Sequence, residues 1–429
     1  MNSSVKSDVK GSLKADKQPD AKIDVKRPKR SIPPYKMIWN TTFSMDAFSF
    51  GVIPNCTAYF LSHFHSDHYM GLTSKFNHGP IYCTSITAAL LIQELNVDPS
   101  MIVSLPLEIP TVVQGITVTL IDANHCPGAA IFIFDVPPKK DGSKSMRYLH
   151  TGDFRASRVH SEHPLIKPPN HFDIVYLDDT YCKPSHTFPS QISILNCIND
   201  LCVKLLKGDT VAQIVSGNPL KDFVLVHKRQ TVDRPQTGLN KWLNHKSKAP
   251  KFLIVVGSYL IGKERIILKV AESLNSKIYV TTKYISIINE IRKMKIYNCQ
   301  SNDTLTSRLT TNPSMANVHV VQMNQLSPEY LNDLLIKYKE IFSDIIAIRP
   351  TGWTHRKPSG NSFKVNNLQP KYVSSNITIV PIPYSEHSSF EELKMFIQSI
   401  NVSKVIPTVN VRDVTRLNEL FKSWNPTVQ

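Results

Sequence analysis

The stretch 59-YFLSHFHSDHYMG-71 decides how this chain is read. An apolar run ends at Leu61, and His63, His65, Asp67 and His68 follow at once. Along an extended chain the side chains alternate, so His63 and His65 point one way, Asp67 can follow them, and His68 faces a different direction. A lone His-x-His is usually a pair of surface imidazoles. A carboxylate and a third imidazole at this spacing, directly behind a strand, point instead to metal binding, with one short segment serving two metal positions.

Two later strand ends offer what this segment lacks. "LIDANHCPGAA" sets His125 in a Gly/Pro turn after a buried strand, and "RYLHTGDFR" does the same for Asp153. Each alone has a turn-stabilising role as its default. Their position at strand ends, where a layered sheet presents its site, moves both towards ligation, and a bridging carboxylate helps to hold two cations about 3.5 to 4 Å apart. His150 competes with His125, but it lies inside the strand run and reads as a packed, hydrogen-bonded imidazole.

The totals bound the rest. At 429 residues the chain exceeds one ordinary core, and 41% hydrophobic residues suffice for folded ones. A formal charge of +16, from 50 Lys and Arg against 34 Asp and Glu, draws the protein towards polyanions such as nucleic acid. Seven cysteines without a C-x-x-C pair argue against both a disulfide framework and a zinc finger. No apolar run approaches the roughly 20 residues of a membrane span, and the start is polar and Lys-rich rather than a signal sequence, so no membrane partner is expected.

Residues 1–35 are too polar and basic to order themselves and read as a disordered tail ending in "VKRPKRSIPP", a cluster of the nuclear-import type. From there to about residue 188 come short strands, "IYC", "ITVTLIDA", "AAIFIFDV", "RYLHTGD" and "DIVYLDD", with one helix, "SITAALLIQEL". Strands and helices then alternate, which implies a parallel α/β unit. It is interrupted at 216–251 by eight Lys or Arg against two Asp, a basic loop insertion that could grip a phosphate backbone.

Taken together, "HFHSDH", "ANHCPGA" and "HTGDFR" resemble the metal motifs of the metallo-β-lactamase fold. "YLDDTYC", "VGSYLIGKE", "RPTGWTH", "PYSEHSS" and "IPTVNV" resemble those of its β-CASP nuclease branch. Within that branch they are similar to the DNA interstrand cross-link repair nucleases, the group that includes Artemis, and to its yeast-type 5′ exonucleases. The resemblance implies an α/β chain: an αββα sandwich from residues 36–188 and 357–429, with a β-CASP α/β domain inserted at 189–356.

It further implies His63, His65, His125 and Asp153 as ligands of a first metal, with Asp153 bridging, and Asp67 and His68 as ligands of a second, with His387 beside it. Zinc is the implied cofactor, one or two ions per site, with Mg2+ or Mn2+ as alternatives in the second position. Asp178, rather than its neighbour Asp179, matches the branch's strand-end carboxylate and could orient or deprotonate the attacking water; Asp178, His387 and Asp153 are the implied catalytic residues. Val409 stands where RNA-processing members carry His, which favours DNA. The implied activity is zinc-dependent phosphodiester hydrolysis in the nucleus by a monomeric 5′-to-3′ exonuclease that prefers a 5′-phosphate. Structure-specific endonuclease action and RNA processing are the alternatives. For the terminal phosphate, Tyr181, Gly262, Lys263, Thr351, Gly352 and Ser385 supply hydroxyls, an ammonium and backbone N–H groups. No repair-complex partner is legible.

Overall fold

Alternation of side chains along β-strands organises this molecule. The computed structural model describes residues 31–139, 142, 144–217, 252–293, 299–352 and 363–429. Nearly all of the basic tail at 1–35 and of the insertion at 216–251 lies outside them.

Four parallel strands, β1 (Phe43–Met45), β2 (Ala58–Phe60), β3 (Ile81–Thr84) and β4 (Ile102–Leu105), form one sheet in that order. A second sheet holds β5 (Thr111–Val113), β6 (Ile116–Asp122), β7 (Ala130–Val136), β8 (Met146–His150) and β9 (His171–Leu177), with the chain's last strand, β17 (Asn401–Pro407), beside β9. In β2, Ala58 and Phe60 face the second sheet while Tyr59 faces away; in β7, Phe132 and Phe134 face inward while Ile131 and Ile133 face out. The inward set forms a sealed aromatic layer, with Phe60 at ring distances of 5.2 Å from Phe43, 5.2 Å from Phe134 and 5.9 Å from Phe132. Phe60→Ala is therefore expected to cost about 3–5 kcal/mol of stability, readable as a lowered midpoint of chemical unfolding.

The outward set is covered by helices, which completes an αββα sandwich. The predicted helix "SITAALLIQEL" forms over Ser85–Leu95, started by the Thr84 side chain accepting from Thr87 N–H and stopped by Asn96 in the left-handed region at φ 51°. The helix Phe390–Ser399 opens on a capping box between Ser389 and Glu392 and buries Leu393, Phe396 and Ile397.

The third sheet has seven strands, in the order β12 (Leu309–Thr310), β11 (Ile278–Tyr279), β13 (Val318–Gln322), β10 (Phe252–Ser258), β14 (Asp344–Pro350), β16 (Ile377–Ile382) and β15 (Lys371–Tyr372). Its centre is parallel, as the helix–strand alternation predicts. One expectation is corrected. The family resemblance puts residues from 357 onward in the sandwich, yet β16 pairs with β14 of the third sheet over Ile345–Pro350, so only the chain after Ile382 returns. The apolar run "ITIVPI" fits a buried strand in either sheet, and pairing partners are not encoded in one strand's pattern. Residues Ile32–Gln429 pack as one compact unit.

Candidate metal centre

Strand direction gathers the predicted ligands. β6 and β8 each run antiparallel to β7, and β8, β9 and β17 run parallel to one another, so the turns after β6, β8, β9 and β17 share an edge. His125 follows β6, Asp153 follows β8, Asp178 follows β9, and the segment after β2 brings His63 and His65 to the same place. His387 arrives on the crossover between β16 and the helix at Phe390.

At the centre stands Asp153 Oδ2, 3.1 Å from His68 Nε2, 3.7 Å from His63 Nε2, and 3.9 Å from both His125 Nε2 and His387 Nε2. His65 Nδ1 lies 2.9 Å from His63 Nε2 and 3.2 Å from His125 Nε2. Bonds of about 2.0–2.1 Å to a tetrahedral zinc separate ligand atoms by roughly 3.3 Å, so these spacings are those of a ligand shell. The close approach of Asp153 depends on Gly152 at φ 54°, where a Cβ would stand 2.7 Å from that of Ser62.

Each imidazole has its far nitrogen tied to an acceptor, which leaves the other facing the centre. His63 Nδ1 meets Ser62 Oγ at 2.9 Å, His68 Nδ1 meets Asp46 Oδ2 at 2.7 Å, and His387 Nδ1 meets Asp178 Oδ2 at 2.8 Å. His125 Nδ1 meets the Glu386 carbonyl at 2.8 Å, and His65 Nε2 meets that of Ile261 at 3.3 Å. Such outer partners orient metal-binding imidazoles and raise their basicity. The donor set fits metal: His63, His65 and His125, with Cys126, group as one set of ligand atoms, while His68 and His387 each group with Asp153, beside His63 and His125 respectively.

Electrostatics divide the imidazoles in the same way. Burial, reinforced by neighbouring imidazoles, pushes His63 and His125 well below the ordinary range, and burial lowers His65, so all three are neutral and ready to ligate. Burial also acts against a charge on His68 and His387. Carboxylates outweigh it, Asp153 and Asp46 for His68 and Asp178 and Asp153 for His387, and they lift His387 to about 9. Burial opposes ionisation of Asp153 too, but His68 and His387 hold its carboxyl well below the usual carboxylate range. Asp46, Asp153 and Asp178 thus make the His68 and His387 side of the cleft the one that favours positive charge.

Several sequence expectations change. The segment after His65 is a helical turn, Ser66–Tyr69, not an extended strand end. That turn folds His68 back until its ring is 4.1 Å from that of His63, and it swings Asp67 to the rim with three quarters of its side chain exposed, 3.6 Å from His68 Nε2. Asp178 is buried, and its oxygens accept from His387 Nδ1, Phe154 N–H, and both the N–H and hydroxyl of Thr180. Beside the expected water-activating role, these bonds let the carboxylate orient His387. Asp179 caps the turn at Val409 and Asn410, through N–H bonds of 2.9 and 3.2 Å. His150 is a packed imidazole, stacked on the Tyr176 ring at 5.2 Å with the planes 18° apart.

Of the phosphate-binding candidates, Tyr181, Lys263, Thr351, Gly352 and Ser385 line a cleft of about 1580 Å³ that also contains His68, Asp153 and His387. Gly352 sits so close to Tyr181 that a Cβ would lie 2.5 Å from its hydroxyl. Two of the candidates have donors already engaged within the protein. Gly262 N–H donates to Glu264 at 2.7 Å, while Lys263 gives its N–H to Glu386 at 2.7 Å and its ammonium to the same carboxylate at 2.6 Å. Sequence reasoning missed Asp46, Ser62, Glu386 and Cys126, whose Sγ lies among the ligand atoms of His63, His65 and His125. Asp46 directly follows β1 and Ser62 lies two residues past β2, and that strand-end position was the available signal.

An αββα sandwich with imidazoles and a shared carboxylate at one edge, closed by a histidine on a crossover from a third sheet, defines a metallo-β-lactamase-fold protein of the β-CASP type. The family described as DNA repair metallo-beta-lactamase matches residues 303–413. The chain is 38% identical over 398 residues to DNA cross-link repair protein SNM1 of Arabidopsis thaliana, covering 92% of this chain and 70% of that protein. It is 36% identical over 413 residues to DNA cross-link repair protein pso2/snm1 of Schizosaccharomyces pombe (92% and 64%). To 5′ exonuclease Apollo of Danio rerio it is 26% identical over 383 residues (87% and 52%). The chain spans about two thirds of the first two proteins and half of the third. It belongs to the SNM1/PSO2 DNA cross-link repair family.

Proposed function

We propose that this protein is a zinc-dependent DNA nuclease of interstrand cross-link repair, acting in the nucleus as a 5′-to-3′ exonuclease on 5′-phosphorylated ends. The observation that carries the reading is the convergence on Asp153 Oδ2 of imidazoles from His63, His68, His125 and His387 at the floor of an open cleft. The DNA-repair names of the relatives supply the substrate class. When bound, the metal pair supplies a water of lowered pKa and neutralises charge on the phosphate and the leaving oxygen.

The chain's own residues do the positioning. Ser62, Asp46 and Asp178 hold His63, His68 and His387 in register, and Asp153, shared by two groups of ligand atoms, would hold metal at both. Lys36, Lys283 and Arg349 line the cleft and give sequence-independent attraction to the DNA backbone, which weakens steeply with salt. The terminal phosphate is received by the Tyr181 and Ser385 hydroxyls and the turn at Thr351 and Gly352. With Lys263 tied to Glu386, the ammonium is not assigned to it.

End-labelled DNA with and without a 5′-phosphate, single- and double-stranded, tests the reading. Metal-dependent release of nucleotides from the 5′-phosphorylated end is the expected result; no cleavage with zinc, Mg2+ or Mn2+ would overturn it. Internal cuts only would replace the exonuclease by an endonuclease, and faster cleavage of RNA would replace the substrate. Tyr181→Phe is expected to reduce the preference for a 5′-phosphate over a 5′-hydroxyl about tenfold, the worth of one hydrogen bond to a charged group.

A further inference from the structure

The seven-stranded sheet reaches the first metal position through one short turn. After β10 the chain makes the turn Ser258–Lys263, with Gly262 at φ 96° and Lys263 at φ 70° opening the helix Glu264–Ser273. The Ile261 carbonyl of that turn is the acceptor 3.3 Å from His65 Nε2. On the other side, the Glu386 carbonyl is the acceptor 2.8 Å from His125 Nδ1. Glu386 also binds the turn itself, its two carboxylate oxygens accepting from Lys263 N–H at 2.7 Å and from the Lys263 ammonium at 2.6 Å. Both side chains are nearly inaccessible to water. Gly262 is required beside them, because a Cβ there would stand 2.9 Å from Glu386 Oε2.

We propose that Glu386 and Lys263 are positioning residues that lock this turn onto the crossover carrying His387, and so set the orientation of His65 and His125 for the first metal ion. One ion pair then governs two ligands from two sides, and the third sheet becomes a structural requirement for metal binding in the sandwich. A buried pair of this kind contributes little to stability by itself and much to geometry, since removing one partner strands the other. Lys263 accordingly acts on the metal and not on the DNA end.

Zinc affinity measures this directly. The 429-residue chain and its Glu386→Gln, Lys263→Met, Lys263→Arg and Glu386→Gln/Lys263→Met variants are stripped of metal and titrated with zinc against a chromophoric chelator. Thermal unfolding of each metal-free protein checks the fold. In Glu386→Gln and Lys263→Met, one bound ion is expected to weaken about tenfold to a hundredfold, the usual effect of losing an outer partner of a ligand, while the other ion keeps its affinity. The double variant loses no more than either single one, and Lys263→Arg, which keeps the pair, binds as the wild type does.

Unchanged zinc affinity in the single variants overturns the proposal, as do additive losses in the double variant. A Lys263→Met protein that binds zinc normally but loses its preference for 5′-phosphorylated DNA also overturns it, and returns this lysine to the phosphate pocket. Where Glu386→Gln does not fold, Lys263→Met carries the test with the same outcomes. The inference deepens the nuclease reading of the same centre but is read without DNA. A wild type that cuts nothing, with variants that lose zinc, would sink the nuclease and leave the clamp standing.

Discussion

Asp153→Asn is expected to leave less than about a thousandth of wild-type DNA cleavage, with the protein still folded. Removing one group that stabilises transition-state charge costs about 10²–10³ in rate, and Asp153 serves both metal positions at once. Its Oδ2 lies within 4 Å of imidazole nitrogens from His63, His68, His125 and His387. An amide matches the shape but lacks the charge that holds two cations close together. Metal analysis of the purified variant should find fewer ions per chain than in the wild type, and activity should not return at raised zinc. Cleavage above about a tenth of wild type would remove Asp153 from the centre.

Asp178→Asn is expected to slow cleavage about a hundredfold, the upper end of the loss when the partner of a ligating imidazole is removed. Four donors converge on this buried carboxylate, and an amide must turn its NH2 towards some of them. His387 then loses its fixed orientation, and the unmatched donors cost about 1–3 kcal/mol of stability. The pH profile separates the two roles for Asp178. If it orients His387, the rate falls by the same factor at every pH and the shape of the curve is kept. If it takes a proton from water, the acidic limb of the profile disappears in the variant.

The candidate metal ligands could be proposed from sequence because each carries its own chemistry. Three imidazoles and a carboxylate behind one strand, and His125 and Asp153 behind two more, need no partner to be recognised. Asp178 could be picked out, but its role could not. The motif marks a carboxylate at a strand end, and only the 2.8 Å approach of His387, 209 residues away, adds a supporting role to the expected one. Lys263 shows the same limit. At the mouth of a helix it reads as a phosphate ligand, whereas the folded chain presents it to Glu386, 123 residues further on. Helix Ser85–Leu95 was legible from its apolar spacing, while β16 could not be given to a sheet.

By itself the sequence determined the elements, the α/β class, the donor atoms for metal and the basic charge, because periodicity and side-chain chemistry are local. Only the tertiary structure decided which atoms meet. It set Asp67 at the rim and His68 at the centre through one helical turn. It gave Asp46 to His68 and Asp178 to His387, and it joined the third sheet to the sandwich through Lys263 and Glu386. These pairings form between residues far apart in the chain, and they depend on strand order and register, which no single segment carries.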